Sequence, residues 1–357
     1  MQYLKTVIDI TYHNMNSISE NLITLCCTFL ITNDIKSVRE CNLNLANTLR
    51  QIIYTRCIIN LTKLKQERVM DKFMHYVKEY KLRINIKTST KRDLYKLTKV
   101  TNEQNIPKII LSHYFKNDLN NLVFPLNIKY LTLSYRFNEE IKPSILPMSL
   151  TVLEFGYDFN QELNVGSLPS SITELKFGGM FNKKINPGIL PIKLKKLTFG
   201  YEFNQEFEEK TLPLKLKHLI FGYSFNQDIK SDILPDKLQS IEFSTQYNKI
   251  LTREIFPPTL QHLTLYITNT EQKFNFFPVQ LRTLNLGCEL WNDNIELPDT
   301  LKILRLGHWF KGMFNAKFLP PSLEEIHVPK NFTGEINVRN KIKIIQYEFH
   351  FGLKFPY

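Results

Sequence analysis

The 357-residue sequence has few glycines, few cysteines and no long uninterrupted apolar segment. Its 12 glycines are too few for a collagen-like or glycine-rich low-complexity chain. The five cysteines include no CxxC pair with metal spacing, and their odd number argues against a disulfide framework, so we expect reduced thiols. The most apolar stretch, Leu22 to Ile31, is interrupted by threonines and is shorter than the roughly 18–20 residues that cross a bilayer. We therefore expect an intracellular, cytoplasmic protein.

Signatures of catalysis are also missing from the sequence. It contains no GxGxxG, P-loop, GxSxG or HExxH motif, and its 8 histidines are scattered. His218 and His262 share a repeat position, but Ser240 occupies that position in the copy between them, which argues against a metal site. We expect no enzymatic activity, no metal and no cofactor.

The net charge of +12 is unevenly distributed along the chain. Residues 1–105 contain 17 Lys and Arg against 9 Asp and Glu, whereas residues 106–357 contain 29 against 25. Most of the excess positive charge of residues 1–105 lies in residues 78–99. Such a segment is typical of a solvated helix face or a linker, and contact with phosphate or anionic lipid is the alternative.

A Leu-Pro or Phe-Pro dipeptide recurs through most of the chain at intervals of 20 to 22 residues. The dipeptides begin at Phe124, Leu146, Leu168, Leu190, Leu212, Leu234, Phe256, Phe277, Leu297 and Leu319. An aliphatic residue follows each start, then an apolar-x-apolar tripeptide, and a Phe-Asn pair completes the clearest copies. A degenerate eleventh copy precedes these ten, with Ile109 lying 22 residues before Leu131. This regularity predicts a solenoid.

Within each copy, the apolar-x-apolar tripeptide is typical of a short strand with one apolar side. About 22 residues cannot bury that side alone, so neighbouring copies must stack into a parallel sheet with strands about 4.8 Å apart. The predicted strand centres are Leu131, Leu153, Leu175, Leu197, Leu219, Ile241, Leu263, Leu284, Leu304 and Ile326. We expect the repeated Phe in the core and the repeated Asn bonded to the backbone of the next coil.

Two other repeated residue types allow more specific expectations. Glycines that follow the strands, such as Gly178 and Gly200, are expected where the chain bends. Three tyrosines recur at one turn position, Tyr157, Tyr201 and Tyr223. They form either an exposed aromatic row or a layer packed against the next turn.

The pattern resembles the FNIP repeat, a leucine-rich-repeat-like unit in which an LPxSL segment, a strand and an FNxxI segment follow one another. Here Leu168 to Ile172 reads LPSSI, and Phe181 to Ile185 reads FNKKI. The resemblance covers roughly residues 106–335 and weakens after residue 226. It implies a solenoid used for protein interaction, without catalytic chemistry.

Before the repeats, apolar residues recur at helical spacing, which predicts several short helices. Residues 21–41 also resemble a degenerate F-box that lacks the usual opening Leu-Pro. An F-box followed by FNIP repeats is a domain pairing known in amoebae and their giant viruses. The resemblance implies that the first helices dock a Skp1-like adaptor through Leu22, Leu25, Phe29, Ile35 and Val38. Alternatively, these residues only pack on a later helix.

These observations predict an α+β fold, in which a small N-terminal helical bundle precedes a leucine-rich-repeat-like parallel β solenoid of about 22-residue coils. The predicted domains are an F-box-like segment (1–60), a helical and basic connector that caps the solenoid (61–105), the solenoid (106–335) and a C-terminal cap (336–357).

The favoured function is a substrate receptor of a Skp1/cullin-type ubiquitin ligase, active in the cytoplasm, or in the host cytoplasm if the protein is viral. A scaffold without a ubiquitin role is the second hypothesis, and nucleic-acid binding through residues 78–99 is the third. Outward strand residues should bind the target protein, because side chains alternate along a strand. The candidates are Glu154, Glu174, Lys176, Lys196, His218, Ile220, Glu242, His262 and Arg305.

Overall fold

The computed structural model describes residues 128–266, 277–287, 296–307, 319–330 and 341–347, together with three earlier strands and a few single positions or pairs. The chain divides into two compact units. The first comprises Met1–Arg136 and Pro147–Leu150, and the second comprises Phe137–Leu146 and Thr151–Tyr357.

Parallel strands form the described part of the first unit. They are β1 (Ile58–Asn60), β2 (Asn85–Thr88), β3 (Lys108–Leu111) and β4 (Tyr130–Thr132). Each pairs with the next, and the register aligns Ile86 with Ile109 and Ile109 with Leu131. The side chains of Ile109 and Leu131 are buried. The degenerate eleventh repeat is therefore confirmed as a strand in register with the copy that follows it.

In the second unit, parallel strands continue in chain order through the described residues. They are β5 (Val152–Glu154), β6 (Glu174–Lys176), β7 (Lys196–Thr198), β8 (His218–Ile220), β9 (Ser240–Glu242), β10 (His262–Tyr266), β11 (Thr283–Gly287), β12 (Ile303–Leu306), β13 (Phe314–Asn315), β14 (Glu325–Pro329), β15 (Ile336–Asn337) and β16 (Lys343–Tyr347). Strands β13 and β15 form a separate two-stranded sheet, and the others belong to the main sheet.

The predicted α+β class is wrong, because the residues that the structure describes form a parallel β solenoid without an α-helix. Helical backbone there is limited to 3-10 turns such as Arg253–Ile255. Strands β1 and β2 fall within residues 1–60 and 61–105, where we predicted helices. Pairing of β2 with β3 satisfies backbone groups along the sheet, and this tertiary pairing overrides the helical periodicity of the surrounding sequence. The rest of the predicted helical bundle lies outside the described residues.

All ten predicted strand centres lie within strands and are buried, at the middle residue of β4 to β9 and at the second residue of β10, β11, β12 and β14. In the second unit, backbone register aligns Leu153 with Leu175, Leu175 with Leu197, and so on to Leu304 with Ile326. These centres are at most 2% exposed. The stacked strands therefore share one apolar face, as a 22-residue unit requires.

Phenylalanine rings fill the core next to this column, in two parallel stacks. Within a coil, Phe199 and Phe203 stack with ring centroids 3.8 Å apart. Between coils, Phe203 lies 6.0 Å from Phe181 and 6.2 Å from Phe225, with nearly parallel planes. A further ring, Phe207, contacts the rings of both stacks. The prediction that the repeated Phe is a core residue is confirmed.

The repeated asparagines form a ladder along the second unit. The Oδ1 atom of each accepts a hydrogen bond from the backbone N–H of the asparagine one coil later, at 2.8 to 3.0 Å. The donors are Asn160, Asn182, Asn204, Asn226 and Asn248. This confirms the predicted role, since a solenoid must satisfy the backbone groups of each turn through its neighbour.

Glycines after the strands allow the coils to approach closely. A Cβ atom placed on Gly200 would lie 1.7 Å from the carbonyl oxygen of Gly178, and one on Gly222 would lie 1.6 Å from that of Gly200. These positions do not have positive φ, in contrast to Gly188 at +86°. The absent side chain, and not the conformational freedom of a bend, is what the fold needs at these positions.

Candidate protein-binding face

Strand residues on either side of each buried centre form two columns, which are exposed or half-buried except at Thr264 and Thr283. We call these columns of the second unit, on β5 to β12 and β14, the outer face. In the first column, backbone register aligns Glu174, Lys196, His218, Ser240 and His262. The outer face thus presents one side chain per coil in each column, about 4.8 Å apart.

The structure places all nine candidate target-binding residues on the outer face. The first column contains Glu174, Lys196, His218 and His262, and the second contains Glu154, Lys176, Ile220, Glu242 and Arg305. All nine are exposed or half-buried. Acidic and basic side chains alternate among them, so the face has little net charge. Phosphate binding favours a basic stripe, which this face does not have.

Polar side chains bond to one another at the C-terminal end of the outer face. Asn285 Nδ2 donates to Thr264 Oγ1 at 2.9 Å, and Arg305 Nη1 donates to Asn285 Oδ1 at 3.4 Å. Nearby, His327 Nε2 lies 2.9 Å from Glu325 Oε2. Burial lowers the pKa of Arg305, and the Glu325 carboxylate opposes this shift. Asn285 is not among the predicted target-binding residues, and its amide joins the neighbouring strands through these two bonds.

The two histidines of the first column have pKa values below the ordinary value. Partial burial of the imidazole ring is the main cause for both. The positive charges of Lys196 and Lys217 lower the pKa of His218 further. Charge repulsion from His218 and Arg305 does the same for His262. Both residues therefore resist protonation in the folded state.

Stability should consequently fall with acidification below the ordinary histidine pKa of about 6.5. The unfolded chain binds more protons there than the folded chain, so lowering the pH favours unfolding. We expect the His218→Gln/His262→Gln variant to lose less stability than the wild type between pH 7.5 and pH 5.5. Urea denaturation across this range measures the difference. The two proteins should show equal pH slopes above pH 8, where both histidines are neutral, and equal slopes at every pH would contradict the assignment.

The recurring tyrosines combine both of the arrangements that the sequence left open. Tyr201 and Tyr223 stack on each other with ring centroids 4.7 Å apart, yet they remain 48% and 37% exposed. Gly179 replaces tyrosine in the preceding coil, and the Tyr157 ring occupies the space where a Cβ of Gly179 would lie. The row is therefore packed internally and exposed at its outer edge.

The adaptor-binding residues and most of the basic segment lie outside the described part of the chain, and the described part was also searched for metal ligands and membrane spans. The five candidate adaptor-binding residues, Leu22, Leu25, Phe29, Ile35 and Val38, lie outside the described part of the chain. In the part that is described, no three His, Cys, Asp or Glu side chains are grouped as metal ligands would be. None of the helices there has the length and apolar composition of a membrane span. Of the basic segment 78–99, only β2 is described, and nucleic-acid binding by it stays a prediction.

A family match and a solved structure both support a repeat solenoid. No curated protein matches the sequence. Among solved structures, the chain is similar to CroV588, whose crystal structure is described as a novel circular LRR protein, with 32% identity and a TM-score of 0.56. The match covers 68% of this chain but only 40% of CroV588. Five overlapping segments match the FNIP Repeat family, at residues 115–158, 137–180, 159–202, 181–224 and 203–246. Residues 115–246 therefore consist of tandem FNIP repeats, within a solenoid similar to that of an LRR protein.

Proposed function

We propose that the protein is a non-enzymatic interaction scaffold that binds a target protein on its outer face. The observation that carries this proposal is the pair of in-register columns. Buried positions repeat the same apolar residues, whereas outer positions differ from coil to coil, as in Glu174, Lys196 and His218. A rigid frame that holds chemically different side chains at fixed spacing favours recognition of a specific protein surface.

The finer proposal is that this scaffold is the substrate receptor of a Skp1/cullin-type ubiquitin ligase in the cytoplasm. Its support is the F-box-like pattern of residues 21–41, which precedes the repeats. In this role, the N-terminal segment docks the adaptor and the outer face holds the target. Catalysis comes from another subunit, and the scaffold contributes by raising the local concentration of the target.

Two double variants of the full chain separate these functions. Leu22→Asp/Phe29→Asp places charge where an adaptor would bury hydrocarbon, which should weaken adaptor binding by about 2–4 kcal/mol and leave target binding intact. Glu154→Lys/Glu174→Lys should remove target proteins and leave the adaptor bound. Quantitative co-precipitation measures adaptor binding and target binding for each variant, with purified Skp1 as the adaptor, after confirming that the variants fold.

A matched control keeps the same charge change away from the outer face. Glu162→Lys/Glu209→Lys alters two exposed positions outside the strands, and it should retain all partners. Equal loss of target proteins from the control and from Glu154→Lys/Glu174→Lys would contradict the outer-face proposal. If wild-type protein does not bind Skp1, or the Leu22→Asp/Phe29→Asp variant binds it normally, the ligase proposal fails and the scaffold proposal stands.

A further inference from the structure

A second surface of the second unit lies at three consecutive Leu-Pro turns. In each turn, the proline carbonyl accepts a hydrogen bond of 2.9 Å from the backbone N–H three residues later. The donors are Leu194, Leu216 and Leu238. Proline at the first position and a buried leucine at the fourth fix the turn, so its two middle residues project into solvent.

These projecting positions combine exposed aliphatic side chains with lysines. Ile192 is 71% exposed and Leu214 is 76% exposed, the highest values among the large apolar residues that the structure describes. An exposed lysine follows each aliphatic residue, another lies two residues further on, and a fifth, Lys237, lies in the next turn. We call this surface the turn patch; it consists of Ile192, Lys193, Lys195, Leu214, Lys215, Lys217 and Lys237.

Backbone hydrogen bonds place the lysines of the turn patch on directly neighbouring coils. The Lys217 N–H donates to the Lys195 carbonyl at 2.8 Å, so equivalent residues lie about 4.8 Å apart. None of the five lysines forms an ion pair within the described residues. By contrast, Lys184 pairs with Glu208, and Lys302 pairs with Glu324. Closely spaced lysines that form no ion pair repel one another, and an anionic partner would relieve that repulsion.

We infer that the turn patch binds an acidic amphipathic helix of a partner protein, lying along the axis of the coils. Helix residues three or four positions apart are about 4.5–6.0 Å apart along the helix axis, which matches the coil spacing. A carboxylate at each such position would face one lysine per coil, and apolar residues beside them would contact Ile192 and Leu214. An extended peptide fits less well, since its alternate side chains are about 6.6–6.8 Å apart.

An anionic membrane surface would also attract lysines, but the composition of the turn patch favours a protein helix. Only two aliphatic side chains are available, with no aromatic residue among them. The next turn carries the exposed Asp236 at the position equivalent to Ile192 and Leu214. Asp236 therefore ends the apolar row after two coils, whereas a membrane-binding surface usually has a broader apolar face.

The test uses a synthetic Ala-based helical peptide of about 18 residues, roughly 27 Å long. It carries Glu at three- and four-residue intervals on one face, with Leu beside them. Fluorescence anisotropy should show binding to the full-length wild-type protein that weakens as salt rises. A peptide of the same composition with its order scrambled should bind on the order of tenfold more weakly, because its carboxylates no longer lie on one face.

Variants of the protein locate the site. Lys193→Glu/Lys215→Glu should weaken binding at least about tenfold, and Ile192→Ser/Leu214→Ser should also weaken it. Lys142→Glu/Lys230→Glu makes the same charge change at exposed lysines outside the turn patch, and it should bind as the wild type does. Circular dichroism checks that each variant is folded.

Three results would overturn the inference: no binding by the wild type, equal binding of the ordered and scrambled peptides, or equal loss in the control variant. Vesicles of phosphatidylcholine with phosphatidylserine provide a separate arm. Vesicle binding that depends on Lys193 and Lys215, without peptide binding, would replace the helix with a membrane. The outer-face variant Glu154→Lys/Glu174→Lys should bind the peptide normally, so this inference and the proposed function can fail independently.

Discussion

Replacing Phe203 with alanine is expected to lower the free energy of unfolding by about 3–5 kcal/mol. Phe203 is 1% exposed and lies between two coils of the second unit. Its ring contacts Phe181, Phe199, Phe207 and Phe225, so truncation removes contacts to three coils at once. The cavity cannot close without shifting a backbone that hydrogen bonds hold on both sides. Chemical denaturation of the variant and the wild type measures the difference.

Thr198→Ala is the control for this experiment, because Thr198 lies in the same coil but on the outer face. It should change stability by less than about 0.5 kcal/mol. Equal denaturation midpoints for Phe203→Ala and Thr198→Ala would mean that the inward and outward faces of the strand have been assigned the wrong way round.

A single methyl group at Gly200 is expected to destabilise the protein by about 3 kcal/mol or more, at or above the upper end of ordinary overpacking effects. The new Cβ would lie 1.7 Å from the Gly178 carbonyl oxygen and 2.9 Å from Gly179 Cα. These are backbone atoms of the preceding coil, so no side-chain rotation can relieve the clash. The coils must separate at this point, which weakens the hydrogen bonds between them. Thermal and chemical denaturation of Gly200→Ala measure the loss.

Gly188→Ala provides a matched comparison with a different physical cost. Gly188 has a φ of +86°, and a Cβ there would meet no atom within 4 Å. The alanine suffers only backbone strain, about 1–2 kcal/mol. If Gly188→Ala were as damaging as Gly200→Ala, close approach of the coils would not be the reason for glycine after the strands.

The solenoid formed by the described repeats was largely predictable, because one period determines several physical requirements at once. Leu197 and Phe199 alternate with polar residues, which defines a strand and its buried side. Asn182 and Asn204 are separated by one period, which places an amide beside the backbone of the next coil. Each of these two predictions needs only the spacing and the chemistry of one residue type.

Strands β1 and β2 were not predicted, for an equally physical reason. Strand β2 contains Asn85, Ile86, Lys87 and Thr88, and its single aliphatic residue gives no alternation to detect. Its pairing with β3 depends on long-range backbone hydrogen bonds, which leave little trace in a four-residue sequence. The surrounding apolar residues recur at helical spacing, and helices were predicted for this reason.

Of the two surfaces, the outer face followed from the sequence and the turn patch did not. Alternation along a strand identifies Glu174 and Lys176 as outward residues without further information. Ile192 lies in a turn, where alternation gives no direction, and its apolar character suggests burial. Only the structure shows that it is 71% exposed beside the lysines of two coils.

The later coils differ in length, yet their strands stay aligned. Leu263, Leu284 and Leu304 are 21 and 20 residues apart, but each lies seven residues after its Leu-Pro or Phe-Pro start. The difference in length thus falls between the strand of one coil and the Leu-Pro or Phe-Pro start of the next. Insertions or deletions there leave the binding columns in place, whereas duplication of a whole coil in the gene would lengthen each column by one residue. The length of the columns and the side chains within them can therefore change separately during evolution.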